Sequence, residues 1–497
     1  MQPHQLTITE ASKLLDERRL SSEELTQSYL DRIKELNPKL NAYLTVTADQ
    51  ALEAAEAADQ RKGRLGPLDG IPLAIKDNYN IAGVRTTAGS KILDDFVSVE
   101  DATPIKKLKQ AGAVMLGKTI LDEFAMGSST EHSSYGPAKN PWDTSRVPGG
   151  SSGGSAASVS ADLAAGSLGS DTGGSIRQPA GFTSVVGLKP TYGAVSRYGL
   201  IALASSLDCP GPFGKTVADS RLLFNAIAGR DPLDATSVDV PRDSRIVTRK
   251  SPGESRVASS DLRGVRIGVP KEYFGEGLEK RVEQAVRKGV EQLERLGADI
   301  FDVSLPHTEY ALAVYYIIQP AEASSNLARY DGIRYGFSTE KLGRSGNLMD
   351  VYFGSRGQGF GAETKRRIML GTYTLSAGYY EAYYKKALQV RTLVFQDFTD
   401  AFRKVDYLVS PTSPTTAFKF GEKEGDPLAM YLADVYTVAI NVAGVPAVSV
   451  PAGFIDDLPV GLQIIGRHKD DFGVLSIAEL YEQATDWHTR KPGLRSN

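Results

Sequence analysis

Apolar residues at Leu25, Tyr29, Ile33 and Leu36 recur at the three-to-four-residue spacing of an amphipathic helix, behind a capping box opened by Ser21 and closed by Glu24. Asn37-Pro38 marks its expected stop. A second box, Thr47 to Gln50, is expected to open an Ala/Glu-rich helix running to about Lys62, so residues 1–65 read as an N-terminal helical segment packed on a main domain of 66–497. After Gly66-Pro67, the run GIPLAIKDN at 70–78 is apolar without alternation and turns abruptly to charge at Lys76, as a buried strand ending at a site would. Further on, a helix over 103–110 precedes an apolar strand run at 113–116, and an Ala-rich helix is expected over 155–165.

The segment 238–264 is rich in Ser, Arg, Pro and Asp and is expected as a surface loop. A βαβ unit follows: strand 266–269, helix 278–296 stopped by Gly297, and strand 299–305. Helical pattern then fills much of 320–404, where Tyr379, Tyr380, Tyr383 and Tyr384 are expected to pack between helices, before strands at 407–410, 447–450 and 460–465. The alternation predicts one large α/β domain, a mixed and mostly buried sheet covered by helices on both faces.

Composition narrows the function classes. Apolar content of 41% with 24% charged residues supports a large core over 497 residues, and a net charge of -3 without a long basic block gives no footprint for gripping nucleic acid alone. Cys209, the single cysteine, excludes an internal disulfide or a cysteine metal cluster, which fits a reducing cytoplasm, and reads as a small buried hydrophobe. The N-terminus shows no signal-peptide core, and no apolar run approaches the ~18 residues of a membrane span.

Two motifs invite chemistry and mislead. GAVMLGKT at 112–119 satisfies the phosphate-loop pattern G-x-x-x-x-G-K-S/T, but its variable positions form an apolar strand run where a phosphate cradle needs a loop. GGSSGG at 149–154 holds two overlapping G-x-S-x-G pentads, the nucleophile elbow of hydrolases that also need a histidine base. Of the five histidines, those downstream (His307, His468 and His488) stand in no small-residue loop suited to presenting one.

The run 148–175 nevertheless gathers eight glycines and eight serines in 28 residues. Its second cluster, SDTGGS at 170–175, offers consecutive backbone N–H groups in a glycine turn ahead of a serine, the ingredients of an oxyanion hole. Without a suitable histidine, the remaining base is a lysine held neutral by burial, and Lys76 at the end of its apolar strand is placed for it.

Lys76, GGSSGGS at 149–155 and DTGGSIR at 171–177 together resemble the amidase signature family, over essentially the whole chain. The resemblance implies a Ser-cisSer-Lys triad with Ser175 as nucleophile, Ser151 as the bridging serine behind a cis peptide, Lys76 as base, and an oxyanion hole from Thr172, Gly173, Gly174 and Ser175 itself. EFAMG at 123–127, RYGLIALASSLD at 197–208, VPKEYF at 269–274, ASSNLARYDGIRY at 323–335, KRRIMLG at 365–371 and GLQIIG at 461–466 resemble one branch of that family, the glutaminase components of tRNA-dependent amidotransferases. That branch implies a cytoplasmic heterotrimer with B and C subunits. Glutamine is hydrolysed here, and the ammonia is used by the B subunit, with ATP and Mg, to amidate Glu-tRNA(Gln) or Asp-tRNA(Asn) held mainly by the partner.

No metal or cofactor is expected on this chain. Glutamine's α-carboxylate and α-ammonium need a cation and an anion, which by resemblance are Arg367 and Asp434, with Tyr316 and Gly127 beside them. A stand-alone amidase acting on small or aryl amides is the alternative, and a catalytically inert scaffold is the non-enzymatic one.

Overall fold

A computed structural model of the chain describes residues 2–242, 261–343, 346–423 and 425–494. Of the expected loop at 238–264, residues 243–260 lie outside them.

The N-terminal segment forms α1 (Ile8–Asp16), α2 (Ser22–Leu40), β1 (Tyr43–Val46) and α3 (Ala48–Asp59). The first capping box closes as expected, with Glu24 N–H donating to Ser21 Oγ at 3.0 Å and Ser21 N–H to Glu24 Oε2 at 2.9 Å. The stop at Asn37-Pro38 does not hold: α2 runs one turn further, because a proline in the last turn forfeits a single ladder bond while Leu36 and Leu40 gain full burial. Asn41 ends the helix in the left-handed region, and the Asn37 amide clamps both backbone groups of Tyr43, at 2.7 and 3.1 Å. The second box does not form either. The Thr47 hydroxyl donates to Met115 O at 3.0 Å instead of capping α3. Strand β1, unforeseen in the sequence, pairs antiparallel with the main sheet.

That sheet is built from β2 (Pro72–Lys76), then α4 (Thr103–Gln110) and β3 (Val114–Thr119), α5 (Gly153–Ser160) and β4 (Gly166–Asp171), and α6 (Arg177–Thr183) and β5 (Val186–Lys189). There follow β6 (Cys209–Gly214), α7 (Val217–Ile227) and the expected unit β7 (Arg266–Pro270), α8 (Lys280–Arg295), β8 (Asp299–Val303), whose strands pair in parallel. Where one helical region was expected, α9 (Ala311–Asn326) is separated by turns from α10 (Leu348–Gly359), α11 (Ala362–Leu375) and α12 (Lys386–Lys404). The chain closes with β9 (Tyr407–Pro411), α13 (Pro427–Tyr431), α14 (Val438–Ala443), β10 (Ala447–Ile455), β11 (Leu458–Ile465) and α15 (Asp471–Gln483).

The eleven strands form one mixed sheet in the order β1-β3-β2-β4-β6-β5-β10-β11-β9-β7-β8, flanked by helices. It is a single mixed α/β domain. Of the tyrosines expected between helices, Tyr384 is half-buried and packs against the core, whereas Tyr379, Tyr380 and Tyr383 are about 40% exposed, with Tyr379 and Tyr383 stacked on each other and tilted against Tyr373. Their hydroxyls favour water over a core position without a partner.

Strands β2, β3 and β4 run parallel, so their C-terminal ends share one edge of the sheet, with Lys76 opposite Thr119 and Ile75 opposite Leu168. The apparent phosphate loop is absorbed here. Lys118 lies inside fully buried β3, where Nζ donates to Asp77 Oδ1 and Thr86 Oγ1, both at 2.8 Å. Asp77 in turn accepts Thr87 N–H and Oγ1–H, which pins the chain just beyond Lys76. Removing one partner of a buried pair strands the other charge, so Lys118→Met is expected to cost ~3–5 kcal/mol in a denaturation midpoint measurement, with part recovered by adding Asp77→Asn. A loss no larger than for an exposed lysine would refute that role.

Candidate active site

Lys76 ends β2 inside a cage of hydroxyls. Its Nζ lies 2.8 Å from Ser151 Oγ, 2.8 Å from Ser152 Oγ and 2.9 Å from Ser170 Oγ, with no exposed surface. Burial pulls its pKa down to about 7, against the attraction of Asp122, Asp171 and Asp208. A neutral amine has two N–H bonds and one lone pair. The Ser152 hydroxyl gives its proton to Ser170 O at 3.1 Å, so its oxygen is left to accept from Lys76, as Ser170 Oγ can also. The lone pair is thereby left for the proton of Ser151.

Ser151 stands on the loop leading into α5, and the Gly150–Ser151 peptide is cis. The next residue ties this loop to the second cluster, Ser152 N–H donating to Ser175 O at 3.2 Å. Between β4 and α6 the chain makes the turn that carries Thr172, Gly173, Gly174 and Ser175. Gly174 has a φ of +149°, and a Cβ there would lie 2.3 Å from Thr437 Oγ1, so both conformation and space demand glycine. Thr437 Oγ1 donates to Gly173 O at 2.6 Å and turns that carbonyl aside. The N–H groups of Thr172, Gly173, Gly174 and Ser175 have no acceptor among the described residues. A turn with free donors ahead of a serine suits a developing oxyanion.

Asp171 and Arg177 clamp the two ends of this turn. The carboxylate accepts Ile176 N–H at 3.1 Å, Arg177 Nε at 3.1 Å and Arg177 Nη2 at 3.1 Å, and the pair is fully buried. Arg177 also reaches Gln463 Oε1 and Asn441 Oδ1, binding the turn to β11 and α14. Of the two serines expected to act, Ser151 is 0% exposed and Ser175 is 7% exposed, so Ser175 is the one that keeps some exposed surface.

Aromatic rings continue from the turn. Tyr315 packs on Gly173, Tyr316 meets Tyr315 edge-on at 4.9 Å between centroids, and Tyr316 stacks on Tyr431 at 3.8 Å. The Arg367 guanidinium lies 4.8 Å from the Tyr316 ring and 5.0 Å from that of Tyr431. Its Nε donates to Glu363 Oε1 at 2.7 Å, one turn earlier on α11. Asp434 lies beside Gly174, accepts from Ser128 Oγ, and is buried so completely that its pKa rises to about 7. Gly127, half-buried, precedes Ser128 and lies against the Asp122 carboxylate. The structure thus brings every expected site residue into one region: Lys76 with Ser151, the turn 172–175, and Arg367, Asp434, Tyr316 and Gly127 around it.

The sequence of residues 24–475 matches the family described as Amidase. The chain belongs to the amidase family. This amidase is 56% identical, over 97% of both chains, to the A subunit of the glutamyl-tRNA(Gln) amidotransferase of Caldanaerobacter subterraneus subsp. tengcongensis. Its fold superimposes on the crystal structure of the A subunit of the Thermotoga maritima glutamyl-tRNA(Gln) amidotransferase with a TM-score of 0.78, at 45% identity, covering 97% of this chain and 95% of that one. The peptide amidase of Stenotrophomonas maltophilia is a more distant match, with a TM-score of 0.78 at 31% identity over 98% of each chain.

Several residues of this amidase's site were not foreseen. Ser152 and Ser170 sit in the same Gly/Ser run and could have been found by asking what holds a neutral lysine. Glu363 carries the helical i, i+4 signal toward Arg367. Asp122 accepts the N–H groups of Thr130 and His132, and Glu123 accepts Gly361 N–H at 2.8 Å and Thr364 Oγ1–H at 2.6 Å, tying the start of α11 to the segment before the site. Neither had a sequence signal beyond its motif. Cys209 is buried on β6 opposite Asp171, with Lys189 Nζ 3.8 Å from its sulfur, and the structure gives it no part in the site. Among the described residues no helix is long and apolar enough to cross a membrane, and no group of three or more His, Cys, Asp or Glu could hold a metal ion.

Proposed function

We propose that this amidase is the glutaminase component of a tRNA-dependent amidotransferase, with Ser175 as nucleophile, Ser151 as proton relay and Lys76 as base. Neutral Lys76 takes the proton of Ser151 as Ser151 takes that of Ser175, and Ser175 Oγ attacks the γ-carboxamide carbon of glutamine. The N–H groups of the turn at 172–175 stabilise the oxyanion, and the relayed proton returns to the departing nitrogen as ammonia leaves. Water then attacks the acyl ester by the reverse relay and releases glutamate. The ammonia passes to a B subunit, which with ATP and Mg amidates Glu-tRNA(Gln); Asp-tRNA(Asn) is a second candidate, and a C subunit completes the assembly.

The observation that carries the reading is the presence in one region of a buried cation, Arg367, held by Glu363, and a buried carboxylate, Asp434, beside the serine turn. A small neutral amide has no use for that pair. Glutamine answers both charges. Arg367→Ala is expected to raise KM for glutamine by ~10–100-fold, the worth of a hydrogen bond to a charged group, with kcat changed less. The functional test is co-purification with B and C subunits followed by glutamine hydrolysis with and without mischarged tRNA. Faster turnover of neutral amides than of glutamine by the isolated chain would favour the stand-alone alternative.

A further inference from the structure

The guanidinium of Arg367 has a second partner: Nη1 donates to the carboxamide oxygen of Gln319 on α9. The helices α9 and α11 approach so closely here that a Cβ on Gly371 would lie 1.8 Å from Pro320 O. Pro320 follows Gln319, and Gly371 lies one turn beyond Arg367, so this backbone contact fixes the two side chains against each other. A guanidinium only donates, which settles the orientation of the amide: Oε1 faces Arg367 and Nε2 does not.

Gln319 is 0% exposed and its Nε2 has no hydrogen-bond partner among the described residues. A buried amide nitrogen without an acceptor is costly, and an apolar residue of like volume would avoid the cost. Asp434 Oδ1 is likewise buried without a hydrogen-bond partner among the described residues. Two buried groups of opposite need thus stand in this region, a donor next to Arg367 and an acceptor next to the serine turn.

We infer that Gln319 is a specificity-determining residue: Oε1 holds the Arg367 guanidinium, and Nε2 donates to the substrate carboxylate that Arg367 binds. This rests on the glutamine reading above. The terminal torsion of a glutamine is soft, so Nε2 can turn to meet an oxygen of a carboxylate seated on Arg367. The arrangement also rejects. A substrate without a carboxylate leaves the buried Nε2 unpaired, which discriminates more strongly than lost contact area.

Two truncated amides separate the terms. 4-Carbamoylbutanoate keeps the carboxylate of glutamine and lacks the ammonium; 4-aminobutanamide keeps the ammonium and lacks the carboxylate. In Gln319→Leu, the ratio of kcat/KM for 4-carbamoylbutanoate over 4-aminobutanamide is expected to fall ~10-fold or more, through KM more than kcat. Gln319→Glu, which sets a like charge beside the carboxylate, is expected to lower it ~100-fold. Gln319→Met serves as the near-isosteric variant if the leucine chain does not fold. A ratio unmoved in the folded variants, or a loss shared equally by both amides, would overturn the inference and leave Gln319 a structural contact. A wild-type enzyme that does not prefer glutamine and 4-carbamoylbutanoate over 4-aminobutanamide would instead sink the glutamine reading itself.

Discussion

Ser175→Ala is expected to lower glutamine hydrolysis by on the order of 10,000-fold or more, the scale on which a nucleophile's loss is felt in acyl-transfer enzymes. Ammonia-driven amidation by the assembled complex is expected to persist. Access separates the serines. Ser151 and Ser152 are fully buried against Lys76, whereas Ser175 sits at the end of the glycine turn and keeps some exposed surface. The substitution removes one oxygen and keeps the backbone carbonyl that receives Ser152 N–H, so the loop-to-turn contact survives. Loss of the ammonia-driven reaction as well would mean that Ser175 serves more than the ammonia-generating step.

Lys76→Met is expected to cost ~100- to 10,000-fold in kcat, the range of general acid–base contributions. Its wild-type pH profile carries the sign. Lys76 acts as a base only when neutral, and burial sets its pKa at about 7, so activity is expected to be low in acid and to rise through about pH 7. Asp434 must be ionised to bind an α-ammonium, and burial has also raised it to about 7, so the acidic limb of kcat/KM is expected to be steeper than one proton explains. Asp434→Asn should return it to a single ionisation while raising KM. An acidic limb centred near the ordinary carboxylate range, or a profile that Lys76→Met leaves unchanged, would contradict the assignment.

Much of this site was legible because its catalytic part is encoded in short, dense segments. A strand that ends in Lys76 and a Gly/Ser run broken by an Ala-rich helix have few physical uses, and both readings depend on local pattern. The helix itself spans Gly153–Ser160 and not 155–165: packing tolerates glycine in its first turn, and the chain leaves the helix before Asp162, which takes a left-handed φ of 57°. What stayed hidden depends on contacts remote in sequence. Nothing around Gln319 announces Arg367, 48 residues away, and only the close crossing of α9 and α11 joins them. The same limit explains the fold's departures. Pro38 is tolerated because Leu40 has a core to enter, Thr47 abandons its cap for a strand carbonyl, and four-residue β1 is too short to show a period. The apparent phosphate loop was resolved from local pattern alone, since a lysine within an unbroken apolar strand cannot cradle a phosphate, yet its partner Asp77 could not be named.

The expected site of the covalent intermediate is Ser175, and not the more conspicuous Ser151 of the G-x-S-x-G match. The most direct test is acid quenching of the enzyme during glutamine turnover, followed by peptide mapping by mass spectrometry. A glutamyl ester on the peptide carrying Ser175, absent in Ser175→Ala, is the expected result; an ester on Ser151, or one that persists in Ser175→Ala, would contradict the account.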